Sequence, residues 1–99
     1  MITVQQTKNA IQIIGHANYD EIGKDIVCAA VSALFQTFLL TMDKIKTETK
    51  DKYMYDIKTG ESVIMFHEEK SQEAQLLIKS LFIGLEAIAE SYPENVRII

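Results

Sequence analysis

The sequence predicts an α+β fold: a mixed β-sheet of about five strands in the order ββαββαβ, with two helices packed on one face. Three observations carry this reading. Two pairs of short β-branched segments each flank a turn-like stretch, and two longer segments repeat apolar residues at three- and four-residue spacings. A short alternating tail follows the second of these.

Ile2-Thr3-Val4-Gln5 and Ala10-Ile11-Gln12-Ile13-Ile14 have strand composition, with Lys8-Asn9 between them as the turn and Gly15 at the hairpin's end. Ala17 to Lys24 is polar or small and reads as a loop. Asp25 is a good N-cap for a helix over Ile26 to Met42, which has no Gly or Pro and places Val27, Val31, Leu34, Phe35 and Phe38 on one side. Asp43 to Asp51 is charged and Thr-rich without periodicity, so it is expected to be a connection or a frayed edge strand. Tyr53 to Ile57 and Ser62 to Phe66 form a second hairpin whose turn uses Gly60 for a positive φ. Tyr53 and Tyr55 share one face of its first strand, as core or interface residues, with peptide binding the lesser alternative. Ser71 caps a second helix from Gln72 to about Ser91, with Leu77, Leu81, Leu85 and Ile88 on one stripe; Gly84 within it marks close packing and Pro93 closes it. Asn95 to Ile99 alternates as a final strand.

Composition narrows the function. A chain of 99 residues with 47% hydrophobic and 24% charged content makes one globular domain, residues 1–99, with one core. Lys and Arg total 10 against 14 Asp and Glu, a net charge of −4, so no basic patch serves nucleic acid and a basic partner is the better fit. The first residues, Met1 to Gln6, lack the basic and apolar regions of a signal peptide, and a single cysteine forms no internal disulfide. A reducing cytoplasm is therefore expected. The apolar run Ile26 to Val31 is far shorter than the roughly twenty residues of a membrane span, so no membrane segment is expected.

His16 and Cys28 are the most informative pair. A thiol and an imidazole brought together make an activated nucleophile, and no glycine-rich phosphate loop or second cysteine offers a rival chemistry. A helix starting after Asp25 puts Cys28 at its third position, where a locally positive dipole and unpaired N–H groups favour a thiolate and invite a developing oxyanion. His16, at a strand end, would hold and return the proton. The eight-residue loop is long enough to bring the helix start back beside the strand, with Gly15 permitting close approach and Gly23 letting the loop bend.

The bland reading stands beside it. By pattern alone, a lone cysteine among Ile26, Val27, Ala29 and Ala30 is more often a small core residue than a nucleophile. Asp25 is an N-cap or an orienting group for His16, and the cap is favoured because its charge opposes a thiolate. His67, next to Glu68 and Glu69, reads as surface, with no second ligand cluster to make a metal site. No cofactor is expected.

The run Gly15-His16-Ala17, followed by Gly23-Lys24-Asp25-Ile26-Val27-Cys28-Ala29 and then Ser32-Ala33, resembles the ribosomal-processing cysteine protease family, Prp. Glu73-Ala74-Gln75-Leu76 and Glu94-Asn95-Val96-Arg97 extend the resemblance across nearly the whole chain. It implies a cysteine endopeptidase that removes a short N-terminal extension from a bacterial large-subunit ribosomal protein, cutting after an aromatic residue ahead of a lysine-rich mature segment. His16 and Cys28 match the family's catalytic pair, and a homodimer is implied. Asp20, Glu21 and Asp25 form an acidic loop that would attract those lysines. A non-catalytic dimeric module binding a basic ribosomal or assembly partner is the alternative, and a single-cysteine redox sensor a third reading.

Overall fold

The computed structural model describes residues Met1–Ile99. The elements are β1 (Ile2–Gln6), β2 (Ala10–Ile14), α1 (Ile26–Thr49), β3 (Tyr53–Lys58), β4 (Glu61–Phe66), α2 (Gln72–Ser91) and β5 (Val96–Ile98), in the predicted ββαββαβ order. The strands form one sheet in the order β3-β4-β2-β1-β5. β1 runs parallel to β5, and the other three pairings are antiparallel.

Alternation along the strands decides what the helices cover. Ile2, Val4, Ile11, Ile13, Ile64, Phe66 and Val96 point to one face and are buried with Val27, Val31, Phe35, Phe38, Leu39 and Met42 of α1 and Ala74, Ile78, Leu81 and Leu85 of α2. Side chains such as Leu39, Met42 and Leu85, below 2% exposure, each contribute roughly 1.5–3 kcal/mol through burial. The two helices also meet each other at Gly84, where a Cβ would come within 2.9 Å of a Leu34 methyl.

One expectation is corrected. Asp43 to Thr49 is not a connection or an edge strand but the last part of α1, which ends at Lys50 in the left-handed conformation with φ 61°. The reason is non-local: the Asp43 carboxylate accepts hydrogen bonds from the Tyr53 and Tyr55 hydroxyls of β3, so charged residues that carry no hydrophobic period are tied down as helix. These bonds hold the Asp43 carboxyl below its ordinary range, while burial and the Asp43 partner push the Tyr53 hydroxyl up. At 24 residues, α1 is long and apolar enough to cross a membrane. In this fold its apolar side instead packs on the sheet and α2.

The register gathers three distant segments at one end of the sheet. Ile14 pairs with Glu61, so the exit of β2 lies beside the β3–β4 turn. Thr3 pairs with Ile14 and Ile2 with Val96, which brings the entry to β5 to the same end. Gly15, Gly60 and Asn95 are thereby neighbours of one rim.

Candidate active site

At that rim the chain leaves β2 through Gly15, whose φ of +100° suits only glycine and whose Cβ would strike the Met1 carbonyl oxygen. Its N–H donates to the Gly60 carbonyl at 2.8 Å. Gly60, at φ +79°, sits against the imidazole: a Cβ there would lie 2.9 Å from His16 Nε2. The β3–β4 turn thus walls one side of His16, an exposed side chain at the strand end.

The helix side is organised by Asp25, the N-cap of α1. Its Oδ1 accepts from Val27 N and Cys28 N, both at 3.0 Å, and its Oδ2 from Tyr19 N at 2.9 Å and Asp20 N at 3.2 Å. Burial pushes this carboxyl up, but the four N–H donors outweigh it and hold it below its ordinary range. Asp25 is therefore a cap and a loop fastener, its four accepted bonds all coming from backbone N–H groups. The idea of free N–H groups at the start of α1 is corrected: those of Val27 and Cys28 are occupied by Asp25, and that of Ala29 by the Asp25 carbonyl.

Cys28 is a free, partly exposed thiol. Its sulfur accepts a hydrogen bond from the N–H of Ala17, the residue after His16, at 3.2 Å. The loop therefore returns the helix start to the strand end, and backbone adjoining the imidazole touches the thiol.

His16 and Cys28 lie between two cavities. One, of about 400 Å³, is bounded by Ile2, Ile13, Val31, Phe35 and Ile57 together with the β3–β4 turn; the other, of about 430 Å³, by Asn18, Asp20, Ile22, Gly23, Asp25 and Ala29. His16, Cys28, Ser32 and Thr59 line both. Gly23 is open, with φ +88° and nothing near its missing Cβ. Asp20 faces the second cavity, whereas Glu21 is exposed and forms a surface pair with Lys24 at 3.8 Å. His67, Glu68 and Glu69 are exposed, and no group of three metal-ligating side chains is present.

Sequence reasoning missed Ser32 and the Thr59–Gly60 turn as rim residues. Ser32 stands four residues beyond Cys28, one helical turn along the same side, so the period alone was enough to find it. The turn becomes visible only through the β2–β4 register.

The chain matches the family model of the cysteine protease Prp over residues 1–97. It belongs to the Prp cysteine protease family. The ribosomal processing cysteine protease Prp of Staphylococcus aureus strain Mu50 is 33% identical over 99 residues, covering 98% of this chain and 92% of that protein. Its counterpart in Bacillus subtilis strain 168 is 30% identical over 95 residues, covering 90% and 82%. The crystal structure of the S. aureus Prp in complex with a covalently linked product peptide superposes with a TM-score of 0.87 at 28% identity, covering 99% of this chain and 97% of that one. A second S. aureus structure, with a substrate peptide, gives 0.75 at 25% identity, covering 99% and 95%. The chain is a cysteine protease of this family with its five-stranded α+β fold.

Proposed function

We propose that residues 1–99 act as one endopeptidase domain that removes the short N-terminal extension of a bacterial large-subunit ribosomal protein, with Cys28 as nucleophile and His16 as proton shuttle. The carrying observation is that the Cys28 sulfur meets the Ala17 N–H at 3.2 Å on a rim it shares with His16 between two cavities. In this reading the thiolate attacks the scissile carbonyl carbon. The tetrahedral intermediate collapses as His16 protonates the departing amine, leaving a thioester with the N-terminal fragment. Water, deprotonated by His16, then releases that fragment as a carboxylic acid and restores the thiol. The covalently linked product peptide on the S. aureus relative supports a nucleophile carried by the protein.

The two cavities suggest how substrate lies. The first cavity, where Ile2, Ile13, Val31, Phe35 and Ile57 offer an apolar wall beside the polar β3–β4 turn, is assigned to the aromatic residue before the cut, and the side carrying Asp20, with Glu21 beyond it, to the lysines after it. Replacing Asp20→Asn and Glu21→Gln together is expected to slow cleavage at low salt, with the difference fading as salt rises; an unchanged rate at low salt contradicts this orientation.

A homodimer and a cytoplasmic, reducing setting complete the reading. Support for the dimer comes from the sheet face turned away from the helices, where Met54 (66% exposed) pairs with Met65 (50%) and Ile14 is 40% exposed. Met54→Lys is expected to convert the dimer to monomer in sedimentation; a wild-type chain that sediments as a monomer defeats it. The single cysteine supports the setting, and this reading assigns no part in the reaction to nucleic acid, membrane or cofactor. The direct test is product mass after incubation with the precursor: one cut after the extension is expected, and intact precursor contradicts the proposal.

A further inference from the structure

We propose that Asn95 is a positioning residue for Cys28, acting from the far end of the chain through the backbone of Ala17. The inference rests on Cys28 being the nucleophile, and Asn95 itself lines neither cavity.

Asn95 Nδ2 donates to the Ala17 carbonyl at 2.9 Å, across 78 residues of sequence. The same Ala17, only 1% exposed, donates its N–H to the Cys28 sulfur. One buried residue therefore carries the site's thiol contact on one side and its anchor on the other. That anchor is needed because the path through residues 15 to 18 follows no strand ladder: Gly15 and Asn18 both have positive φ, at 100° and 56°. The path is pinned instead by Gly15 N–H on Gly60, by the sulfur, and by the Asn95 amide.

Asn95 is well placed to anchor. Its N–H donates to the Tyr92 carbonyl at 2.9 Å, and its carbonyl accepts from Ile2 N at 2.8 Å at the start of β1. The same turn sets the Tyr92 ring perpendicular to that of Tyr19, with centroids 5.3 Å apart, so the loop stem is held by two contacts from one segment. Beyond the stem lies the exposed tip at Ile22 and Gly23. Without the Asn95 amide the Ala17 carbonyl is left buried and unpartnered, a costly state that relaxes by rotation toward water. Turning that carbonyl displaces the Ala17 Cα, one bond from the nitrogen that donates to the sulfur, and so lengthens that contact.

Because Asn95 does not line the cavities, its loss acts on turnover rather than on binding. Asn95→Asp keeps the shape and the backbone bonds but removes the donor. It is expected to lower kcat on a peptide spanning the extension on the order of 10–100-fold, with KM within about twofold, while the Ala17 amide resonance shifts and exchanges faster. Asn95→Ala should behave alike, and the isosteric Asp variant decides if it does not fold. Wild-type kcat in Asn95→Asp overturns the proposal, and so does a kcat loss with the Ala17 amide unmoved. If the wild-type protein cuts nothing, that counts against the protease reading alone. The Ala17 resonance and the rate of Cys28 alkylation by iodoacetamide then decide the positioning role, unchanged values overturning it.

Discussion

The two helices begin with the same device and do different things with it. Asp25 caps α1 and Ser71 caps α2, and in each the residue three positions on, Cys28 or Ala74, donates its N–H to the cap side chain. At α2 the cap is itself fastened by Asp51, which accepts from the Ser71 N–H and hydroxyl, and Ala74 is completely buried. At α1 the cap's second oxygen reaches out to Tyr19 and Asp20, the loop folds back, and Cys28 stays partly exposed between two cavities. A helix start is therefore not a site by virtue of its dipole. What sets α1 apart is a returning loop that supplies an N–H for the sulfur and a strand end whose imidazole lines the same two cavities.

The largest expected effect breaks the comparison outright. Cys28→Ala should lower cleavage by at least ~10³-fold with thermal unfolding nearly unchanged, and His16→Gln should cost on the order of 10²–10⁴-fold. Placing the thiol at the other start, Ala74→Cys in a Cys28→Ala background, should restore nothing and should resist iodoacetamide in the native protein. Rapid alkylation or recovered cleavage there would make the helix start sufficient by itself.

The turn that walls His16 comes next. Gly60→Asn tolerates the positive φ but adds a Cβ 2.9 Å from Nε2, so the imidazole must shift. Cleavage should fall on the order of 10-fold or more while circular dichroism stays native; full activity would mean that the turn does not set the imidazole.

The smallest effects separate the caps. Ser71→Ala should cost about 1 kcal/mol of stability, a few degrees in unfolding temperature, and leave kcat alone. Asp25→Asn should lower both the unfolding temperature and kcat, because an amide nitrogen cannot accept from Tyr19 and Asp20. pH adds a second signature. The Asp25 carboxyl is held below its ordinary value of 3.8, so the stability it contributes is full above that pH and is lost as pH falls through the depressed folded value. Acid titration followed by fluorescence or circular dichroism should show Asp25→Asn with a shallower loss below about pH 4 than the wild-type chain; equal slopes would place the dependence on Asp43 and Asp51, which are depressed in the same direction.

What could be read from the sequence followed the range of each interaction. Caps, the Gly60 turn, the helical stripes and the His16–Cys28 pair are signalled within a few residues of themselves or by family resemblance. The extension of α1 past Met42 was hidden because its stabilising partners, Tyr53 and Tyr55, lie in another strand. Asn95 stood in a motif of the resemblance, yet its contact with Ala17 spans the chain and emerges only from the parallel pairing of β1 with β5. The occupied N–H groups at Val27 and Cys28 show the converse: the cap was legible, but that its carboxylate fills the positions an oxyanion would use was not.

The most direct test is mass spectrometry of the protein quenched during turnover of a peptide spanning the extension. An adduct is expected on the proteolytic fragment containing Cys28, heavier by the N-terminal product less one water, absent from Cys28→Ala and destroyed by hydroxylamine. Cleavage that continues in Cys28→Ala, or an adduct on any other residue, would contradict Cys28 as the nucleophile.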